Sequence, residues 1–358
     1  MTSKTMKMAA ACLLAGSIMG SQAPAIAGSD HSSDTWSGDY TGGSLPTGTF
    51  LALQYAGFAH SDAFIDPSGN QVPNSHSTFL EEYQRFVYFS QLGGHPFVLQ
   101  AALPFQNLTD VNVPTLPNNQ VGEGFADPVL FFSYFFISDA KTQRWLGFTD
   151  YNYLPLGNYD NTKALNLAPD HQYTNVPEIG YTEGLAKFSP SLKGVFFDFV
   201  GNASFHTDGN NPINFGIPVP LSPIGPVVPG SLTYDKLTQT PSYDVKAFLR
   251  YEPSTFTFVS LGIEKSWGGE QTVTNGRVIA LGGAVVVPQG PLALSEDDYL
   301  RGHIQFQFPL ARDFTIGGDI FHDFQSVGGF REDIGAEIRL TKFFFPAPPP
   351  ASGPMYTK

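Results

Sequence analysis

Cysteine, positive charge and long apolar runs are what this sequence has least of. Its 358 residues hold one cysteine, Cys12, so it can close no internal disulfide and offers no dithiol chemistry. Lysine and arginine together number 19 against 32 acidic residues. That balance argues against nucleic acid as a partner and against a polybasic lipid-surface domain. No segment reaches the roughly 18 uninterrupted apolar residues of a membrane-spanning helix, which excludes an inner-membrane helical protein. Histidines are scattered without metal-ligand spacing, and neither a G-x-S-x-G elbow nor an H-E-x-x-H pair occurs. No catalytic, metal or cofactor site is expected.

What is present begins with a leader. Lys4 and Lys7 open the chain, Met8–Ile18 is a short apolar stretch, and Ala25-Ile26-Ala27 is an A-x-A cleavage site. Residues 1–27 therefore read as a secretory signal peptide that takes Cys12 with it. Removing its two lysines leaves 17 basic against 32 acidic residues, a net charge of −15. An exported chain with 32 Phe and 15 Tyr, few charges and no helical span fits a β-barrel whose outer face meets lipid. The rival is a secreted soluble β-sandwich.

The connections favour the barrel. Strand-like segments are joined by links that alternate long and short. The long ones are Ser61–Ser77, Gln106–Gly124, Leu156–Gln172, Thr207–Leu237 and Gly268–Glu296. The short ones are Gln91–Gly94, Ser138–Thr142, Ser189–Leu192, Glu252–Ser254 and Pro309–Arg312. Short periplasmic turns against long extracellular loops are the habit of outer-membrane barrels. We expect a transmembrane antiparallel β-barrel of about twelve strands over residues 47–345, with both ends periplasmic. A flexible periplasmic segment, residues 28–46, precedes it, and a Pro-rich tail, residues 346–358, follows. A strand at Val278–Val287 would raise the count to fourteen.

Period-two alternation fixes the faces. In one segment Leu300, Gly302, Ile304, Phe306 and Phe308 alternate with Arg301, His303, Gln305 and Gln307. A register slipped by one residue would put those charges into lipid, at about 2–4 kcal/mol for a basic residue at the midplane. The lumen-lining candidates are Asp150, Asp198, Lys246, Arg250, Glu264, Arg301, His303, Asp319, Asp323, Glu337 and Arg339. Their mixed signs suggest cross-strand pairs that stiffen the wall rather than a single-sign ion filter. Aromatics near strand ends, among them Tyr55, Tyr151, Trp145, Trp267 and Phe343–Phe345, read as interfacial girdles.

Two glycine-rich clusters remain. Gly122-Glu123-Gly124 leads into Phe125-Ala126-Asp127-Pro128, and Pro155-Leu156-Gly157-Asn158-Tyr159 follows about thirty residues on. No helix follows the glycines, so they do not cradle phosphate. Asp127 is placed to accept backbone hydrogen bonds at the extracellular rim. Pro155 and Gly157 end a strand, because proline cannot donate to a ladder. The pairing G-x-G-x-x-D-P then P-x-G-x-Y resembles the outer-membrane transporter family linked to the meta-pathway of phenol degradation. The family pattern sets Asp-Pro directly after the second glycine, where this chain inserts Phe125 and Ala126. The resemblance implies a barrel that passes aromatic or other hydrophobic compounds, with Gly122, Gly124, Asp127, Pro128, Pro155, Gly157 and Tyr159 as the motif residues.

The loops agree with that reading, since Asn211–Gly230 and Val278–Leu294 are apolar where extracellular loops are normally polar. They either cap or line an entrance for an apolar solute, or pack on each other or continue the barrel wall as a hairpin above the membrane. The expected function is passive transport of small hydrophobic solutes, aromatic ones among them, across a bacterial outer membrane by a monomer in contact with lipid. The alternatives are a general hydrophilic porin, a structural surface barrel, and a lipid-modifying enzyme built on His60-Ser61-Asp62 or His76-Ser77.

Overall fold

A computed structural model describes residues 35–114, 121–122, 124–162, 165–166, 172–220, 227–280, 286–293, 296 and 298–346. The expected signal peptide, residues 28–34 and the tail beyond Pro346 lie outside the described residues. Twelve strands close into one barrel. They are β1 (Phe50–Ser61), β2 (His76–Leu92), β3 (His95–Asn112), β4 (Val129–Asp139), β5 (Arg144–Tyr153), β6 (Thr174–Gly184), β7 (Val195–His206), β8 (Ser242–Ser254), β9 (Thr257–Gly268), β10 (Asp298–Ala311), β11 (Phe314–Val327) and β12 (Ile334–Phe344). Each pairs antiparallel with its chain neighbour, and β12 closes on β1 with Phe50 opposite Phe344 and His60 opposite Ile334. The expected number of twelve holds, and the short turns and both barrel ends share one rim. By the turn-length habit of such barrels that rim is periplasmic.

The outer face is the lipid face. Leu99, Leu130, Leu261, Ile304 and Ile338 are each half exposed or more, on alternate residues of strands whose other face is buried. Removing such a band from water drives insertion. No helix among the described residues is long and apolar enough to cross a membrane.

The segment expected to be flexible is folded over its described part. Residues 35–46 enter the barrel from the periplasmic end and make a 3-10 turn at Asp39–Ser44. Trp36 and Tyr40 are each 5 % exposed. The physical reason is apolar burial: two large aromatic rings in a Gly/Ser context gain more inside a lined lumen than in water.

Among the described residues, the apolar loops add no strand to the barrel. Gly209–Pro220 pairs with Val227–Gln239, which also pairs with Gln271–Thr274 and Gly276–Ala280. These form a separate sheet on the extracellular side, so the count does not rise to fourteen. The strand β3, expected to stop near Phe105, runs to Asn112 because β2 offers it ladder partners up to His76.

Candidate functional site

The lumen has two unlike halves. On β1–β5 the inward residues are largely apolar: Leu51, Leu53 and Tyr55, then Tyr83, Val87 and Phe89, then Val98, Phe131, Phe135 and Tyr151, all buried. The sequence Phe131-Phe132-Ser133-Tyr134-Phe135-Phe136 shows why this was hidden. Both faces of β4 are apolar, so alternation gives no contrast between lipid and lumen. The girdle assignment needs correction for the same reason. Tyr55, Tyr151, Trp145 and Phe343 point inward, whereas Trp267 lies outside, stacked on Tyr243. Tyr55 stacks on Tyr83 with centroids 3.9 Å apart, and Phe131 on Tyr151 at 4.7 Å.

The half formed by β6–β12 carries the charges, and most of the predicted residues meet there. Lys246 lies 3.3 Å from Glu264, and His303 bridges Glu264 at 2.8 Å and Asp319 at 2.9 Å. Arg301 pairs with Asp323 at 2.7 Å and with Glu332 at 2.6 Å. Arg250 pairs with Asp198 at 3.0 Å and also with Glu252. The Lys246–Glu264, His303–Glu264, His303–Asp319, Arg301–Asp323 and Arg250–Asp198 pairs are cross-strand bridges, whereas Arg250–Glu252 lies within β8 and Arg301–Glu332 reaches the link between β11 and β12. Two further predicted residues hold the internal segment instead. Glu337 accepts from the Trp36 indole at 3.1 Å, and Arg339 donates to Asp39 at 2.8 Å with its guanidinium 4.2 Å over the Trp36 ring.

Asp150 is misplaced in the sequence reading. Its neighbours Thr149 and Tyr151 face inward to Tyr40 and Glu178, so Asp150 projects to the outside. There it accepts from Asn152 at 3.1 Å and Asn175 at 2.9 Å. Leu146 and Phe148 share its face, which marks that face as the lipid side.

The internal segment is fastened at every turn. Tyr40 fits a socket whose floor is glycine: a Cβ added at Gly180 would lie 1.9 Å from its ring, and one at Gly147 would lie 2.9 Å away. Its hydroxyl donates to Glu178 at 2.8 Å and meets Thr149 at 3.0 Å. Ser37 donates to Asp198 at 2.6 Å, and its amide to Gln305 at 2.9 Å. Ser44 accepts from Trp145 at 2.8 Å. A cavity of about 550 Å³ remains between this segment and the periplasmic half of the wall.

The motif residues form a clamp at the extracellular rim. Asp127 accepts the Gly157 amide at 2.8 Å, and the Pro128 carbonyl accepts Leu154 at 3.0 Å. A Cβ at Gly157 would sit 2.8 Å from the Ala126 carbonyl carbon, and one at Gly124 2.6 Å from Asn158, so each half needs its glycine to approach the other. Gly122 lies opposite Asn166 in a short parallel pair. Pro155 lies just beyond the last residue of β5, Tyr153. Tyr159 donates to the Pro212 carbonyl, tying the clamp to the outer hairpin.

Burial pushes the Asp127 carboxyl up to about 6, against the Gly157 and Leu156 amides that pull it down. A raised value means that the folded clamp holds the proton more tightly than the open chain. The stabilisation is complete below the ordinary carboxyl value of 3.8 and is lost as pH rises through about 6. Amide exchange in peptides spanning 154–160, corrected for intrinsic rate, is expected to show protection falling between pH 5 and 7. It should stay flat in Asp127→Asn, and equal pH dependence in both proteins would contradict the assignment.

The enzyme alternative finds no geometry. His60 and Ser61 are consecutive in β1, as His76 and Ser77 are in β2, so each pair points to opposite faces. His60 instead lies 3.1 Å from Asp62 and 3.1 Å from Thr78.

A closed antiparallel barrel with a lipid-type outer face and an internal segment defines an integral β-barrel of the outer-membrane kind. Residues 61–291 match the family described as "Putative MetA-pathway of phenol degradation", and the chain belongs to it. Among solved structures, an outer membrane channel from Pseudomonas putida F1 aligns with a TM-score of 0.68 at 19 % identity, over 87 % of this chain and 100 % of that one. The Pseudomonas putida toluene transporter TodX aligns at 0.45 and 10 % identity, over 90 % and 96 %. No curated protein matches by sequence.

Proposed function

We propose that this protein is a monomeric outer-membrane channel for passive passage of small hydrophobic, aromatic molecules. The observation that carries the proposal is the apolar inner wall of β1–β5, which leads past the internal segment to a cavity of about 550 Å³. Aromatic solutes gain from such a surface what they lose by leaving water. A general hydrophilic pore has no use for an apolar half-wall and needs an open lumen, where Trp36 and Tyr40 stand. The fold likeness to an outer membrane channel supports passage rather than chemistry.

Trp36 within the internal segment and Trp145, whose indole donates to Ser44 of that segment, report on its surroundings. In Trp267→Phe protein in detergent, toluene is expected to change their emission with saturation. A linear, non-saturating response like that of free tryptophan would contradict the proposal.

A further inference from the structure

Five non-glycine residues among those described have a positive φ: Asn74, Asp110, Gln143, Phe256 and Asn275. Asn and Asp enter that left-handed region readily, because a short polar side chain can bond the local backbone. Gln143 and Phe256, at φ 54° and 62°, have no such relief, and both border the periplasmic cavity. Phe256 is the more costly of the two, since a bulky aromatic residue in this conformation is a genuine outlier. Such strain persists only where the surroundings over-determine it.

The surroundings of Phe256 do so. Its turn joins β8 to β9, and the base of that turn is fixed: the Glu252 amide donates to the Gly194 carbonyl at 2.7 Å, and Ser254 lies opposite Thr257. The tip, Thr255-Phe256, makes no ladder pair. From there the Phe256 ring packs on Phe343 with centroids 4.9 Å apart. Phe343 stands on β12, three strands round the wall from β9, so the ring reaches inward across the mouth rather than along the rim. The Phe256 carbonyl accepts from Gln307 at 3.4 Å. Gln307 in turn accepts from Arg339 at 3.1 Å, and Arg339 donates to Asp39 of the internal segment at 2.8 Å. Leaving the left-handed region re-aims Cβ, so release of the strain and withdrawal of the ring are one movement.

We propose that Phe256 is the gate of the periplasmic mouth, a strained aromatic lip that shields the apolar cavity from water and swings aside to let a solute through. The inference rests on the channel reading above and names the residue that controls exchange at its periplasmic end. Closed, the ring gains its contact with Phe343; open, the backbone leaves its strained conformation. The two effects oppose each other, so neither position is locked. Gln307 ties the gate to the internal segment, since a shift of Asp39 moves Arg339 and with it the amide that holds the Phe256 carbonyl.

The test follows the same emission of Trp36 and Trp145 in Trp267→Phe protein, now by stopped-flow mixing with toluene and by dilution of the loaded protein. Phe256→Gly removes the ring and keeps the turn, because glycine adopts a positive φ freely. Association and release are both expected to quicken about fivefold, the order that one aromatic contact is worth. The Kd should stay within about twofold, because a gate changes the barrier and not the bound state. Phe256→Asn, which also tolerates the left-handed backbone, should behave alike and serves if the glycine variant does not fold. Gln307→Met keeps the ring and cuts the tie; it should quicken exchange in the parent and add nothing in Phe256→Gly. The heat-dependent gel shift of a folded barrel checks each variant. Exchange no faster without the ring, or a weaker Kd with unchanged association, would overturn the gate while saturable toluene keeps the channel reading. A Gln307→Met effect that adds in full would overturn the tie. If toluene saturates in none of the proteins, the channel reading fails, and quenching by water-soluble acrylamide decides the gate by itself, since Trp145 borders the cavity. Stronger quenching in Phe256→Gly supports the gate, and equal quenching overturns it.

Discussion

Gly180→Val is expected to release the internal segment from the barrel. The strand β6 has no side chain at residue 180, and the Tyr40 ring occupies that space so closely that a Cβ would lie 1.9 Å from it. Valine suits a strand, so the wall itself should form. What cannot form is the socket, because overlap of that size exceeds what rotamer adjustment absorbs. Tyr40 must then leave, and with it go its hydroxyl contacts to Glu178 and Thr149. In planar bilayers the unsubstituted protein should be silent and Gly180→Val should conduct. Tyr40→Ala in the Gly180→Val background removes the clash and should return part of the silence, since Trp36, Ser37 and Asp39 keep their partners. A Gly180→Val protein as silent as its parent would show that the segment is not retained through this socket.

Arg250→Met carries the second large effect, on stability. Arg250 is 1 % exposed. It bonds Asp198 and Glu252, and it lies 4.5 Å over the Phe196 ring and 5.7 Å over the Phe258 ring. Removing it strands the Asp198 carboxylate among the Ser37 and Thr182 hydroxyls. Breaking one side of a buried pair costs about 3–5 kcal/mol, whereas removing both sides costs far less. The temperature at which the folded gel band disappears should therefore drop sharply in Arg250→Met and recover in Arg250→Met/Asp198→Asn. Equal losses in the single and double variants would mean that the pair contributes through packing alone.

The architecture was legible because lipid and water impose contrast on one residue in two. Where one face of a strand is polar, as on β8, β10 and β12, alternation shows both the strand and the face that is buried, the one that carries Lys246, Arg250, His303 and Arg339. Turn lengths add the orientation. The same signal fails where it loses contrast. On β4 both faces are apolar, so Phe131 and Phe135 could not be told from their lipid-facing neighbours. On β5 Asp150 sits above the apolar band on the outer face, and its charge alone suggested the lumen. Residues 35–46 carry no period at all. Their signal was compositional: Trp36 and Tyr40 have no place in a solvated Gly/Ser stretch. The motif glycines were visible, but the partner of each half is the other half, thirty residues away, and only the fold brings Gly157 against Ala126.

The measurement that bears most directly on the account is the ion conductance of the refolded protein in a planar bilayer, with and without residues 35–46. A channel for apolar solutes closed by its own internal segment should give no steady conductance when intact and a stable open level when that segment is deleted. Steady conductance from the intact protein would contradict the account, because it would mean a water-filled lumen open past Trp36 and Tyr40 and would make the protein a general pore.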